Sequence, residues 1–248
     1  MTRRGALIAG WLFALALCAG FASLGAWQLS RADEKQLMLD RADAVLSRRK
    51  PQGLTAAQSS ERAGDYDWAR GSGRFMAQSP VLLDNQQRNG RVGVRVYRAF
   101  QPDAGGEPLL VDLGWLPWPG DRRLPAAALA PPAPGSVELH GLLAPPPSPG
   151  LALGEAVAAR ADAGGATTAW LATRLDRDAL ARALGVPALA PRVLRLDPAL
   201  RIGFERDLVL LANTLPPTKH RGYAVQWFGL ALATLITALV LTFRSLRR

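Results

Sequence analysis

Two long apolar runs bracket the chain. No charged residue occurs from Gly5 to Trp27 or from Tyr223 to Phe243. A helix rises about 1.5 Å per residue, so each run of about 20 residues can cross a hydrocarbon core of about 30 Å. The pattern predicts transmembrane helices over 5–27 and 223–243, short tails at 1–4 and 244–248, and one domain at 28–222. Arg3 and Arg4 precede the first run, as they would in a signal peptide, but the apolar stretch outlasts a signal core of about 7–15 residues and reads as a retained anchor. Arg244, Arg247 and Arg248 after the second run read as a cytoplasmic stop. Arg31, Lys35 and Arg41 lie beyond the first run, yet long loops cross largely regardless of charge. Both termini are therefore expected inside and the domain outside, with Trp27, Tyr223 and Trp227 as aromatic anchors at the outer interface.

Between the runs the period changes. Trp27 to Lys50 contains neither Gly nor Pro, and Met38, Ala42 and Val45 recur at helical spacing. The first helix should continue outward until Pro51-Gln-Gly53 ends it. Val92, Val94 and Val96 alternate with Arg91, Gly93 and Arg95, the period of a strand with one buried face. Leu109–Trp115, Val137–Leu143 and Leu208–Leu211 are further short strand candidates, and Arg74-Phe75-Met76 is expected to pair with Pro80–Asp84 around residues 77–79. Pro131–Gly135, Pro145–Gly150 and Asp162–Gly165 are turn-rich and read as loops. Asp176 to Gly185 reads as a soluble helix, with Asp176 as its cap, Leu180 and Leu184 on one face and Gly185 as its stop. The expected whole is an α+β, mainly antiparallel β extracytoplasmic domain flanked by two membrane helices, without internal repeats and with strand order open.

The 248 residues, 49% of them hydrophobic, suffice for one such domain plus the spans. The net charge is +10, but the basic residues are scattered, with Arg48-Arg49-Lys50 and Arg122-Arg123 the densest groups. Nucleic-acid backbone binding needs a longer stripe, so no nucleic-acid partner is expected. Cys18, the single cysteine, lies within the first apolar run, so no internal disulfide can form. Enzymatic machinery is not visible either. Gly71-Ser-Gly73 lacks the spacing of a nucleophile elbow, no Cys-x-x-Cys or phosphate loop occurs, and nothing in the sequence brings Asp84, Asp112 and Glu205 together.

Three elements, in order, resemble one family. Leu24-Gly-Ala-Trp-Gln-Leu-Ser-Arg31 with Lys35, Gly114-Trp115-Leu-Pro117 after a hydrophobic strand, and His220-Arg-Gly-Tyr223-Ala-Val-Gln-Trp227 are similar to signature stretches of the surfeit locus protein 1 family of cytochrome oxidase assembly factors. Leu113 stands where that family usually has Arg, and Arg221 where it has a hydrophobic residue. The resemblance implies a bacterial inner-membrane protein, its main domain periplasmic, that assists insertion of haem a into the catalytic subunit of an aa3-type cytochrome c oxidase. The implied partners are that subunit, haem a synthase and membrane lipid. A scaffold that stabilises an oxidase assembly intermediate without holding haem is the alternative.

A haem-handling role needs an axial ligand, an apolar surface for the macrocycle and cations for its propionates. The chain has two histidines. His220, Tyr223 and Trp227 are spaced three and four apart, which puts them on one helical face at the start of the second span. With the resemblance, His220 becomes the expected iron ligand, Tyr223 and Trp227 its aromatic neighbours, and Arg31, with Lys219 and Arg221, the propionate partners. The same residues also suit a plain interfacial role. His140, inside a strand, reads as a packed residue. Trp27 and Gln28 belong to the first-span motif, and Gln28 should find a partner such as Gln226 or another subunit. Gly114, Trp115 and Pro117 read as a structural corner with the Trp in the core.

Overall fold

The computed structural model describes residues 3–120, 123–130, 134–148, 154–161, 168–211 and 214–247. Asp162–Gly165, together with Arg122, Pro131–Ala133, Pro149, Gly150 and Arg248, lies outside them. The chain divides into two compact units, one made of residues 1–40 and 214–248 and the other of 41–213.

The first unit is a pair of helices. Helix α1 (Arg3–Arg48) has 46 residues, and its portion up to Asp40 belongs here. It faces a second helix, Pro217–Leu246, of 30 residues, which starts with Pro in its first turn, where a missing N–H costs nothing. Contacts between them run in opposite chain directions. Trp11 Nε1 donates to Thr242 Oγ1 (3.0 Å), Cys18 Sγ lies 3.3 Å from the Ala231 carbonyl, and Gln28 meets His220 at 2.7 Å. The pair is antiparallel. Ala14, Ala32 and Ala224 are buried along the seam, whereas Ile8, Leu12, Phe13, Val225, Leu232 and Leu241 face outward and exposed. Both helices are long and apolar enough to cross a membrane.

The second unit opens with the end of α1. As the absence of Gly and Pro predicts, the helix continues to Arg48, where Arg49 turns left-handed (φ 43°) and its N–H closes on the Val45 carbonyl at 2.8 Å. Nine strands follow: β1 (Pro51–Gly53), β2 (Asp67–Phe75), β3 (Val81–Arg88), β4 (Arg91–Pro102), β5 (Leu109–Pro117), β6 (Val137–Ala144), β7 (Val157–Ala161), β8 (Thr168–Ala172) and β9 (Val193–Leu196). They form one sheet in the order β1-β2-β6-β9-β5-β4-β3-β8-β7, and a further pairing of β2 with β4 closes β2, β6, β9, β5 and β4 into a ring. A 3-10 helix (Leu54–Gln58) and the short helices α2 (Ala126–Leu129) and α3 (Arg177–Leu184) also belong to the unit, and the Pro217–Leu246 helix of the first unit is α4.

Long β4 makes the ring possible. Its first half pairs with β3 and its last residues with β2 along one edge, while β5 covers the other. One core cluster includes Val94, Val96, Phe100, Leu109, Val111, Leu139, Leu143, Leu194 and Leu196. A second gathers Val81, Leu83, Tyr97, Ala99 and Leu110 with Leu180 and Leu184 of α3. Each buried side chain of this size contributes about 1.5–3 kcal/mol, so these clusters dominate the stability of the unit. Helix α3 is capped as expected, with Asp176 accepting from the Ala179 N–H (2.9 Å) and Gly185 left-handed at its end.

Three expectations change. The sheet is mixed: β1–β2, β3–β8 and β5–β9 are parallel, the other pairings antiparallel. Residues 74–76 do not form a hairpin with 80–84, because β2 and β3 lie one after the other along the same edge of β4. Leu208–Leu211 is not a strand. Arg195 Nη2 takes the Asp207 and Val209 carbonyls (3.3 and 3.0 Å), leaving them no ladder to join, and Leu208 and Leu210 pack near Trp68 instead.

Gly114 sits at a bulged step of β5, with φ +113°, beside the Phe204–Glu205 segment that bonds back to Leu113 and Trp115. A Cβ there would lie 2.7 Å from the Phe204 carbonyl oxygen and 2.8 Å from that of Glu205. Gly90 also has positive φ (+73°) but open space around it. Gly114→Ala should therefore cost roughly 2 kcal/mol or more and Gly90→Ala about 1 kcal/mol, through backbone strain alone in the second case. Thermal unfolding of the purified variants checks the order, and equal losses would contradict it.

Candidate functional site at the helix seam

The first unit holds a buried histidine, His220. Pro216 and Pro217 start α4, and His220 follows in its first turn, its N–H directed to the Pro216 carbonyl at 3.4 Å. The side chain is 7% exposed. Its Nδ1 lies 2.7 Å from Gln28 Oε1 on α1. Its Nε2 is buried and has no hydrogen-bond partner among the described residues. A buried nitrogen left unpaired ordinarily costs about 1–3 kcal/mol, and among the described residues Gln78 Oε1 and Arg192 Nε of the β unit share this state.

The electrostatics favour the neutral ring. Burial holds His220 below the ordinary imidazole value of 6.5, and the charges of Lys35 and Arg31 add to the effect. Neutral imidazole is the form that ligates a metal. Lys35 donates to the Leu215 carbonyl at 2.6 Å, which ties α1 to the segment leading into α4, and burial, then Arg31, lowers its own pKa. Arg31 is exposed and turns to Glu34 at 2.6 Å, while Arg221 is 3.9 Å from Asp33 and Lys219 is exposed. Lys35 and Asp33 were not nominated from the sequence as site residues. Only the helix register brings them beside His220 and Arg221.

The expected aromatic strip divides. Trp227 turns with His220 toward α1 and stacks on Phe21, with ring centroids 5.8 Å apart. Tyr223 is 41% exposed and Trp27 55% exposed, so both face outward. The partner of Gln28 is His220. Gln226, suggested for that role, lies on the exposed face of α4.

The remaining expected positions belong to the second unit. Trp115 is buried, donates from Nε1 to the Gln86 carbonyl (3.0 Å) and from its backbone N–H to Glu205 (2.8 Å), and Pro117 lies opposite Gly93 in the β4–β5 register. With Gly114 they make a packed corner. His140 is half-buried on β6, its ring 6.2 Å from that of Trp68 and its Nε2 3.6 Å from Asp197 Oδ2. Asp84, Asp112 and Glu205 are held by different groups, Trp118 Nε1, Arg95 and Arg88 respectively.

Trp227 and Tyr223 should thus respond differently to truncation. Trp227→Ala removes a stacked pair worth about 0.5–1.5 kcal/mol beyond its area, whereas Tyr223→Ala removes an exposed ring. In the detergent-solubilised chain, Trp227→Ala should lower the thermal midpoint of the helix pair clearly more than Tyr223→Ala. The reverse order would mean that Trp227 does not hold the seam.

Among curated proteins, none matches the chain. Residues 15–232 do match the SURF1 family, a stretch that takes in most of α1, the whole β unit and the first half of α4. That family is associated with cytochrome oxidase assembly, and its members are assembly factors rather than enzymes. The three motif stretches, the paired terminal helices and the match over most of the length agree, and the chain belongs to the SURF1 family.

Proposed function

We propose that the protein is an assembly factor for aa3-type cytochrome c oxidase that holds haem a on its way into the catalytic subunit, using His220 as the axial ligand. The observation that carries this reading is the buried Nε2 of His220, without a hydrogen-bond partner among the described residues and set between two helices long and apolar enough to span a bilayer. Haem a, when bound, supplies a Lewis-acidic iron, two propionate carboxylates and a hydrocarbon tail. The residues at the seam fit those three demands. His220 offers a nitrogen lone pair, and Arg31, Lys219 and Arg221 offer exposed cations for carboxylates. The exposed ring of Tyr223 and the apolar outer faces of α1 and α4 suit the macrocycle edge and the tail.

In this reading α1 and α4 cross the inner membrane of a bacterium, both termini lie in the cytoplasm, and residues 41–213 stand in the periplasm. The oxidase catalytic subunit is the partner that receives haem a, and haem a synthase the source that supplies it. A topology reporter fused after Lys50 should be active only on the periplasmic side and one at the C-terminus only on the cytoplasmic side. Reporters active on the same side would end this arrangement.

The ligand assignment is tested by purifying the full chain after co-production with the haem a pathway. The wild type should carry a haem a spectrum, and His220→Ala should lose it while the β unit unfolds at an unchanged temperature. Haem retained in the variant would remove His220 from the role. A colourless wild type that still co-purifies with the oxidase catalytic subunit would leave a contact scaffold in place of a haem carrier.

A further inference from the structure

We infer that Gln28 is the positioning residue for His220: it fixes the imidazole as the Nδ1–H tautomer and so leaves the lone pair on Nε2. The consequence for haem rests on the function proposed above. The tautomer itself does not.

The argument starts from the donor inventory. A neutral imidazole carries one N–H, and which nitrogen holds it follows from the hydrogen bond the ring makes. Gln28 presents Oε1 at 2.7 Å from His220 Nδ1, and an amide oxygen can only accept. With Oε1 turned to the ring, the proton belongs on Nδ1. Nε2, buried and without a partner, is left as a bare σ-donor. The same bond fixes the ring plane, because it ties a residue of α1 to one of α4 across the seam.

Close approach of the helices makes the bond possible. Gly25, about one turn before Gln28, lies against the Phe228 ring, where a Cβ would come within 2.7 Å, and Ala32, about one turn after, is fully buried. A larger residue at Gly25 would have to displace the Phe228 ring of α4. An amide suits the position because it accepts as a carboxylate would, without a buried charge. Partners of this kind orient a ligating histidine and raise its basicity, and their loss typically costs roughly 10–100-fold in metal affinity.

The test uses the full chain, 15N-labelled at histidine and held in detergent or lipid nanodiscs, without a histidine tag. The chain has only two histidines, so His220→Ala identifies the His220 signals. The haem-free wild type should show a protonated Nδ1 and a bare Nε2. Gln28→Leu should lose that signature, Gln28→Asn should lose it as well for want of reach, and Gln28→Glu should keep it. When haem a is added, Gln28→Leu should weaken retention roughly 10–100-fold and lower the iron–histidine stretching frequency of the reduced form, while Gln28→Glu raises it. A wild type with its proton on Nε2 would overturn the assignment. So would a folded Gln28→Leu or Gln28→Asn that keeps the Nδ1–H form. A wild type with the expected 15N pattern that takes up no haem would instead overturn the proposed function and leave the role of Gln28 standing.

Discussion

The His220 ring is buried between α1 and α4, and among the described residues only its Nδ1 has a hydrogen-bond partner. The Gln28–His220 bond is the constraint on which the geometry of the seam turns. It requires α1 and α4 to run antiparallel in one register, with small residues beside it so that the backbones come close. It requires α4 to begin where it does, which Pro216 and Pro217 arrange and the Lys35–Leu215 bond secures. Large apolar side chains such as Ile8, Leu12, Phe13, Leu232 and Leu241 face outward, while polar contacts such as Trp11–Thr242 and Cys18–Ala231 lie along the seam.

The β unit solves a different problem. A sheet of short strands leaves edges, and here part of it closes into a ring while β1 and β7 stay at its two ends. Closure depends on β4 being long enough to serve β3 and β2 in turn and on β5 changing step beside Gly114. The Trp115 indole then fills the turn, anchored to the Gln86 carbonyl. A Gly-Trp-x-Pro stretch in a protein of this kind invites a functional reading. Here its glycine and tryptophan are accounted for by what they touch within the unit.

What the sequence made legible follows from the range of the interactions involved. The two apolar runs, the continuous α1 and the capped α3 are dictated by residues within a turn or two of one another, and they stand as expected. The valine alternation at 92–96 likewise marks β4. Pairing is decided at long range. Leu208–Leu211 has strand composition, yet its neighbouring carbonyls go to Arg195, which no local pattern announces. The strands β1, β7 and β8 are only three to five residues long, too short for an alternation to show, and β1 is placed by β2, β8 by β3 and β7 by β8. At the seam, His220 and the cations were visible as residue types. That Gln28 rather than Gln226 would meet the histidine depends on the register of two helices separated by most of the chain.

The excess of arginine takes its meaning from the β unit as well. Only three of the thirty basic residues are lysines, and the scatter of the rest argues against a nucleic-acid surface. Buried or half-buried arginines are engaged by backbone oxygens and carboxylates. Arg98 binds the Gln78, Ala128 and Ala130 carbonyls, Arg192 binds Asp67 and the Ala56 carbonyl, and Arg206 gathers the carbonyls of Asp197, Leu200, Ile202 and Phe204. A planar guanidinium with five donors can serve several carbonyls at once and is less strongly hydrated than an ammonium, so it can stand in for a ladder where the chain is irregular. A lysine ammonium has three donors on one nitrogen and lacks the guanidinium's planar spread. A high positive charge that would ordinarily suggest a polyanionic partner is, in these positions, directed inward to hold loops that have no strand beside them.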